Sequence, residues 1–167
     1  RVISRALEFT ASDRRIVTVG IRPTRPETGY GYIHASEHAE DEVRPVKAFK
    51  EKPDYQTAVG YLESGSYLWN AGIFVWNAET IVDSIRTFTP ALAEKMDVMA
   101  ESFYTDDERA KVEEIFPTCE KISIDYAVME KADYIHTIPG DFGWSDVGTW
   151  GSLWTLLPHD ADGNAVV

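Results

Sequence analysis

Four short stretches of this sequence bring together side chains suited to holding a polar, anionic ligand. In Phe49-Lys50-Glu51-Lys52-Pro53 a carboxylate stands beside an ammonium at the end of an extended segment, and proline fixes the exit. Glu51 would accept hydrogen bonds from sugar hydroxyls, and Lys52 would meet a phosphate as a compact point charge. Successive side chains of a regular strand face opposite ways, so both reach one pocket only if the backbone twists near Pro53. A solvated charged turn is the plain alternative.

Trp69-Asn70-Ala71-Gly72-Ile73-Phe74 offers an amide that both donates and accepts, matched to a pair of ring hydroxyls, with Gly72 leaving room for the ring. An ordinary turn between two strands is its alternative, and Trp69 and Trp76 are expected in the core. In Glu27-Thr28-Gly29-Tyr30-Gly31-Tyr32 two glycines expose backbone groups to a close neighbour, or simply soften a strand. Asp146, in Phe142-Gly143-Trp144-Ser145-Asp146-Val147-Gly148, lies just ahead of an expected helix. It suits a helix cap, or one of the few carboxylates that Mg²⁺ takes alongside substrate phosphates.

Other chemistry finds no support. His34, His38, His136 and His159 lack metal-ligand spacing, and no glycine-rich phosphate loop of the Walker type occurs. Asp125 and Glu130 are five apart on an expected helix, which does not put both on one face, so a structural role is expected for them.

The elements that must position these residues alternate between helix and strand. Helical periodicity marks residues 1–10, with Val2, Ile3, Ala6, Leu7 and Phe9 as its apolar stripe, and a continuous apolar run marks a buried strand over residues 16–21. Extended segments are expected over residues 29–33, 46–51, 67–76 with an interruption at Asn70, and 134–138. Residues 35–42 read as a solvated acidic turn, and residues 166–167 as the start of a strand.

Helices are expected before Gly65, after an Asn77 cap, and over residues 91–103. Three more follow: one behind a Thr105–Glu108 capping box with Val112, Ile115 and Phe116 inward, one behind Ser123, and one over residues 149–157. The alternation favours an α/β class with a largely parallel or mixed sheet.

Composition narrows the function classes. With 167 residues, 44% of them hydrophobic, the chain suits one domain or a substantial piece of one. Its formal charge of −12, with 16 scattered basic residues, argues against nucleic acid as a partner. No run approaches the roughly 20 apolar residues of a membrane span, so no membrane partner and a cytoplasmic address are expected. Cys119 is the single cysteine and is expected in the core.

In order and wording the motifs resemble the mannose-1-phosphate guanylyltransferases of the sugar-phosphate nucleotidyltransferase superfamily. The resemblance runs from Ile16-Val17-Thr18-Val19-Gly20-Ile21 and Pro23-Thr24-Arg25-Pro26-Glu27-Thr28-Gly29-Tyr30-Gly31-Tyr32-Ile33 through Glu51-Lys52-Pro53 and Trp69-Asn70-Ala71-Gly72-Ile73-Phe74. It continues in Ser123-Ile124-Asp125-Tyr126-Ala127-Val128-Met129-Glu130-Lys131 and Gly143-Trp144-Ser145-Asp146-Val147-Gly148-Thr149-Trp150.

The resemblance implies a Rossmann-like nucleotidyltransferase fold, a mixed sheet with flanking helices, incomplete at both ends. It implies reaction of GTP with α-D-mannose 1-phosphate to give GDP-mannose and diphosphate, with Mg²⁺ as cofactor. Gly29, Tyr30 and Gly31 would line the cleft, Glu51, Asn70 and Gly72 would hold the sugar, Lys52 its phosphate, and Asp146 the metal, with Lys52 and Asp146 catalytic.

The family's triphosphate-gripping loop and second metal-binding aspartate would precede Arg1, so the chain by itself is expected to be inactive. Residues 1–157 would be the sugar-binding part of the catalytic domain, and residues 158–167 the start of a connection to a β-rich domain. A homo-oligomer is left open. The alternatives are another sugar-1-phosphate nucleotidyltransferase, such as a glucose-1-phosphate thymidylyltransferase, a catalytically silent sugar-phosphate-binding paralogue, and a simple carbohydrate-binding module.

Overall fold

The computed structural model describes residues 1–35 and 42–165. Most of the acidic turn expected over residues 35–42, and the strand expected at 166–167, lie outside the described residues.

The apolar run of β1 (Ile16–Ile21) forms a strand buried along five of its six residues. It lies between β4 (Tyr67–Trp76), which runs antiparallel to it, and β5 (Ile135–Pro139), which runs parallel. On the far side of β4 come β2 (Tyr32–Ala35) and then β3 (Arg44–Lys50), each antiparallel to its neighbour. Contacts Arg44↔Thr137 and Pro45↔His136 join β3 to β5 and close the sheet in the order β1-β4-β2-β3-β5. The sheet is mixed, as expected, with β1–β5 as its parallel pair among the described strands.

Three strand expectations are corrected. The strand begins at Tyr32 rather than Gly29, because Glu27 ties the preceding residues into a turn by accepting from Gly29 N at 3.0 Å and Arg25 Nε at 3.1 Å. β4 runs unbroken through Asn70, and the irregularity appears instead in its partner, where the register shifts between Thr18 and Gly20. β3 starts at Arg44 and ends at Lys50, which leaves Glu51 in the bend beyond it.

Helices flank the sheet. α1 (Val2–Thr10) buries Ala6 against Val17, Val19 and Ile138, but Ile3 and Leu7 face outward, so its inner stripe is narrower than the sequence suggested. α2 (Tyr55–Ser64) is capped by Asp54, which accepts from Thr57 N, and is closed by Gly65. α3 (Ala78–Phe88) is capped by Asn77 as expected, and Pro90 opens α4 (Pro90–Ala100) directly behind it.

α5 (Glu108–Ile115) departs from expectation. Thr105 Oγ1 receives Asp107 N and Glu108 reaches Tyr104 N, so the capping box is displaced, and Phe116 is exposed rather than inward. The segment behind Ser123 is a π-helix, Asp125–Met129, in which Glu130 N bonds Asp125 O at 2.9 Å. Its Ala127, Val128 and Met129 pack on Ile16, Ile33, Phe49 and Ile135.

α6 (Trp150–Leu156) is capped by Thr149, not Asp146. The residues after it fold back, with Trp154 Nε1 donating to Gly163 O at 2.9 Å. Among the described residues no helix is long and apolar enough to cross a membrane.

Candidate functional site

Where β3 ends, the backbone turns sharply. Lys52 adopts φ +44°, a left-handed conformation that costs a residue with a side chain on the order of 1 kcal/mol. The twist that Glu51 and Lys52 need in order to share a pocket therefore lies at Lys52 itself, with Pro53 buried behind it. Glu51 is buried, Lys52 is more than half exposed, and Lys52 Nζ meets Glu51 Oε1 at 2.8 Å. The Glu51 carboxylate, bonded to the ammonium and adding its charge, holds Lys52 above the usual lysine range.

Gly31 is required by its neighbours. A Cβ there would stand 2.6 Å from Glu51 Oε2 and 3.3 Å from Asn70 Cβ, so any side chain would evict the carboxylate. The Gly31 carbonyl accepts from Asn70 N at 2.8 Å, which links the end of the glycine motif to β4.

Asn70 is bonded on both faces of its amide. Oδ1 accepts from Thr18 Oγ1 at 2.8 Å and from Gly72 N at 3.1 Å, and Nδ2 donates to Asp125 Oδ1 at 3.2 Å. Gly72 has φ +70° with open space around its Cα. Conformation thus requires glycine at 72, where the sequence suggested room for a ring.

Three members of this group escaped the sequence reading. Thr18 is fully buried in an apolar strand, and a buried hydroxyl needs a partner, which was the available signal. Asp125 and Glu130 were set apart by counting α-helical turns, but the π-helix brings both to the same group. Asp125 meets Asn70, and Glu130 Oε1 accepts from Glu51 N at 3.0 Å. Burial pushes the Asp125 carboxyl upward and the Glu51 charge adds to it, against opposing bonds from its own backbone and Ser123 and the charge of Lys52.

The remaining candidates stand apart. Gly29 is exposed and tied to Glu27. Tyr30 packs edge-on to Trp69 at 5.2 Å and to Trp144 at 5.4 Å. Burial pushes its phenol upward, Arg25 opposes this, and the charges of Asp146 and Glu27 add to it. Asp146 is therefore within electrostatic reach of Tyr30.

The structure thus brings Glu51, Lys52, Asn70 and Gly31 into one bonded group, of which Asp146 is not a bonded member. A cavity of about 830 Å³, lined by Arg25, Tyr67, Trp69, Phe142 and Trp144 among others, opens on that aromatic side. Glu51, Lys52, Asn70 and Asp146 are not among its lining residues, so the four do not share it. The hydrogen-bonded group, rather than the larger void, carries the matched donors and acceptors.

Asp146 bears on the implied metal. Its exposed carboxylate has no hydrogen-bond partner among the described residues and lies over Gly148, whose Cβ position is 3.3 Å from Oδ2. No set of three or more histidine, cysteine or acidic side chains among the described residues forms a metal cage. One uncommitted oxygen ligand fits Mg²⁺, which binds through one or two carboxylates and completes its shell with waters and phosphates.

Comparison with known proteins adds a second kind of observation. The nucleotidyl transferase family profile matches residues 2–163. The chain is 43% identical over 156 residues to the xanthan biosynthesis protein XanB of Xanthomonas campestris pv. campestris, covering 93% of this chain and 33% of that protein. It is 38% identical over 160 residues to a mannose-1-phosphate guanylyltransferase of Salmonella muenchen, covering 95% of this chain and 34% of the relative. A crystal structure from Thermus thermophilus, described as a mannose-1-phosphate geranyltransferase, superposes with a TM-score of 0.79 at 34% identity, over 95% of this chain and 44% of that one. The chain spans about a third of the length of the curated relatives it matches.

Proposed function

Because this chain belongs to the nucleotidyl transferase family, we propose that it supplies the sugar-phosphate-binding part of a mannose-1-phosphate guanylyltransferase. The overall reaction joins the guanylyl group of GTP to α-D-mannose 1-phosphate and releases diphosphate. The observation that carries this reading is the Gly31–Glu51–Asn70 group, in which a buried carboxylate and an amide fixed on both faces lie beside one half-exposed ammonium. Neutral hydroxyls suit the first two, and a phosphate suits the third.

Glu51 and Asn70 would orient the ring, and Lys52 would hold the sugar phosphate and offset its charge. Gly31 would keep Glu51 seated, and Tyr30 would form the aromatic side of the cleft. A sugar-phosphate oxygen would attack the α-phosphorus of GTP, forming one O–P bond as the bond to the departing diphosphate breaks. Such transfer depends on in-line positioning and charge neutralisation and needs no covalent enzyme intermediate. Asp146 would hold Mg²⁺, which when bound neutralises charge developing on the phosphates.

Initial rates of the full-length protein with GTP, dTTP or UTP, each paired with mannose 1-phosphate or glucose 1-phosphate, test this reading. GTP with mannose 1-phosphate is expected to be the preferred pair. Preference for dTTP with glucose 1-phosphate would replace it with the thymidylyltransferase reading. Sugar-phosphate binding without turnover of any pair would identify a silent paralogue. Calorimetry on the 167-residue chain is expected to show mannose 1-phosphate binding without GDP-mannose formation.

A further inference from the structure

The two carboxylates at either end of the π-helix touch the candidate site at separate points. Residues five apart on an α-helix diverge by about 140° around the axis, whereas the i→i+5 bond of a π-helix stacks them one turn apart. Here that bond joins Glu130 N to Asp125 O, and the two side chains reach Glu51 N and Asn70 Nδ2 respectively. A short π segment at a functional site is a recurrent use of this otherwise rare geometry.

We propose that Asp125 and Glu130 are positioning residues: Asp125 fixes which way the Asn70 amide faces, and Glu130 pins the bend that presents Glu51 and Lys52 together. This inference rests on the reading of that group as the sugar-phosphate pocket.

The case for Asp125 is one of donor and acceptor types. A hydroxyl such as Thr18 Oγ1 can donate or accept, so by itself it does not decide an amide flip. Gly72 N–H only donates and the Asp125 carboxylate only accepts, so together they set Oδ1 toward β1 and Nδ2 toward the π-helix. An amide nitrogen has two protons. One is spent on Asp125, which leaves the other, in a fixed direction, for a ligand hydroxyl.

The case for Glu130 is one of strain. Lys52 stays in a left-handed conformation only if its surroundings over-determine it. Buried Pro53 holds the far side, and the Glu130 carboxylate holds the near side through Glu51 N. Glu51 and Asp125 lie close enough for their like charges to oppose one another beside the Lys52 ammonium, an arrangement that positioning of a ligand would account for.

The test compares Asp125→Ala, Asp125→Asn, Glu130→Ala and Glu130→Gln in two measurements. In ¹H–¹⁵N spectra of the chain, the Asn70 side-chain amide protons are expected to exchange with solvent faster in Asp125→Ala and to stay protected in Asp125→Asn, which keeps an acceptor oxygen. In the full-length protein, both alanine variants are expected to raise KM for mannose 1-phosphate about tenfold, the usual scale for a buried hydrogen bond lost, with kcat and the KM for GTP within about threefold. The amide variants are expected to restore KM.

Unchanged Asn70 exchange together with unchanged KM in Asp125→Ala would overturn the role of Asp125. Equal damage from Glu130→Ala and Glu130→Gln, or loss of kcat alone, would overturn the role of Glu130. If the wild-type protein takes no sugar phosphate, the functional reading falls and the binding part of this inference falls with it, while the Asn70 exchange data still decide whether Asp125 fixes the amide.

Discussion

At Lys52 and Gly31 the backbone serves the site at the expense of local comfort, and each position yields a prediction. Glycine adopts the Lys52 conformation without strain, and the ion pair lost with the side chain is more than half exposed on the lysine side and contributes little. Lys52→Gly should therefore leave the urea midpoint unchanged or higher while lowering mannose 1-phosphate affinity at least tenfold, because the phosphate loses its counter-charge. A lower midpoint would show that Lys52 holds the fold. Gly31→Ala acts in the opposite sense. Its methyl group would meet a seated carboxylate at 2.6 Å, so Glu51 must move, at roughly 1–3 kcal/mol of stability and with loss of sugar-phosphate affinity in calorimetry. At this scale Glu51, Lys52, Asn70 and Gly31 could be named from the sequence as candidates, each beside a plain alternative, and the resemblance to one family singled them out. Thr18, Asp125 and Glu130 could not, because their importance comes from partners 52, 55 and 79 residues away in the chain.

Among the elements, those governed by local rules followed the sequence closely. β1 could be placed from its unbroken apolar run, and α3 from a cap, a stripe and a proline. Where a tertiary partner chooses between similar local states, the sequence misleads. Residues 125–129 have the apolar spacing of an α-helix but take π geometry, with Ala127, Val128 and Met129 all seated on the sheet. β4 stays extended through Asn70 because the amide is bonded across the strands, whereas an isolated Asn-Ala-Gly segment reads as a turn. Asn77 shows a local signal and a tertiary role combined. Its Oδ1 accepts from Thr80 N at 2.7 Å, while its Nδ2 donates to Thr10 O at 3.1 Å and Asp13 O at 3.3 Å, so one side chain caps α3 and ties it to the end of α1. Asn77→Ala should cost about 1–2 kcal/mol in urea unfolding. Asn77→Asp should cost less, because it keeps the cap and loses only the two donated bonds. Equal losses in the two variants would mean that the tie to α1, rather than the cap, carries the stability.

For the molecule as a whole, a mixed sheet with flanking helices followed from the alternation of elements, but its closure did not, since the β3–β5 contact rests on two residue pairs far apart in the chain. In the closed sheet β5 pairs with β1 on one side and β3 on the other, and His136, opposite Pro45, is half-buried and edge-on to Phe9 at 4.8 Å. Burial lowers the His136 imidazole from its ordinary range; Tyr134 O opposes this through a hydrogen bond, and the Arg15 charge adds to the lowering. The folded state therefore binds fewer protons at this site than the unfolded chain, and the stability linked to it is lost as pH falls below the imidazole's usual value of about 6.5. Asp125 has the opposite sign. Its raised carboxyl makes the folded state the better proton binder, so its burial penalty, present at neutral pH, is relieved only on stronger acidification. Unfolding free energy is accordingly expected to fall between pH 7.5 and 5.5, a window of about two units in which few ordinary carboxylates titrate. His136→Phe should flatten that slope while keeping the packing on Phe9, and Asp125→Asn should leave it unchanged but stabilise the protein at neutral pH. Both comparisons need constant ionic strength, because added salt screens the self-repulsion of a chain carrying −12 and raises the midpoint by itself. If His136→Phe keeps the full wild-type slope in urea titrations across that window, the proton uptake belongs to other groups, and His136 does not couple the closed sheet to pH.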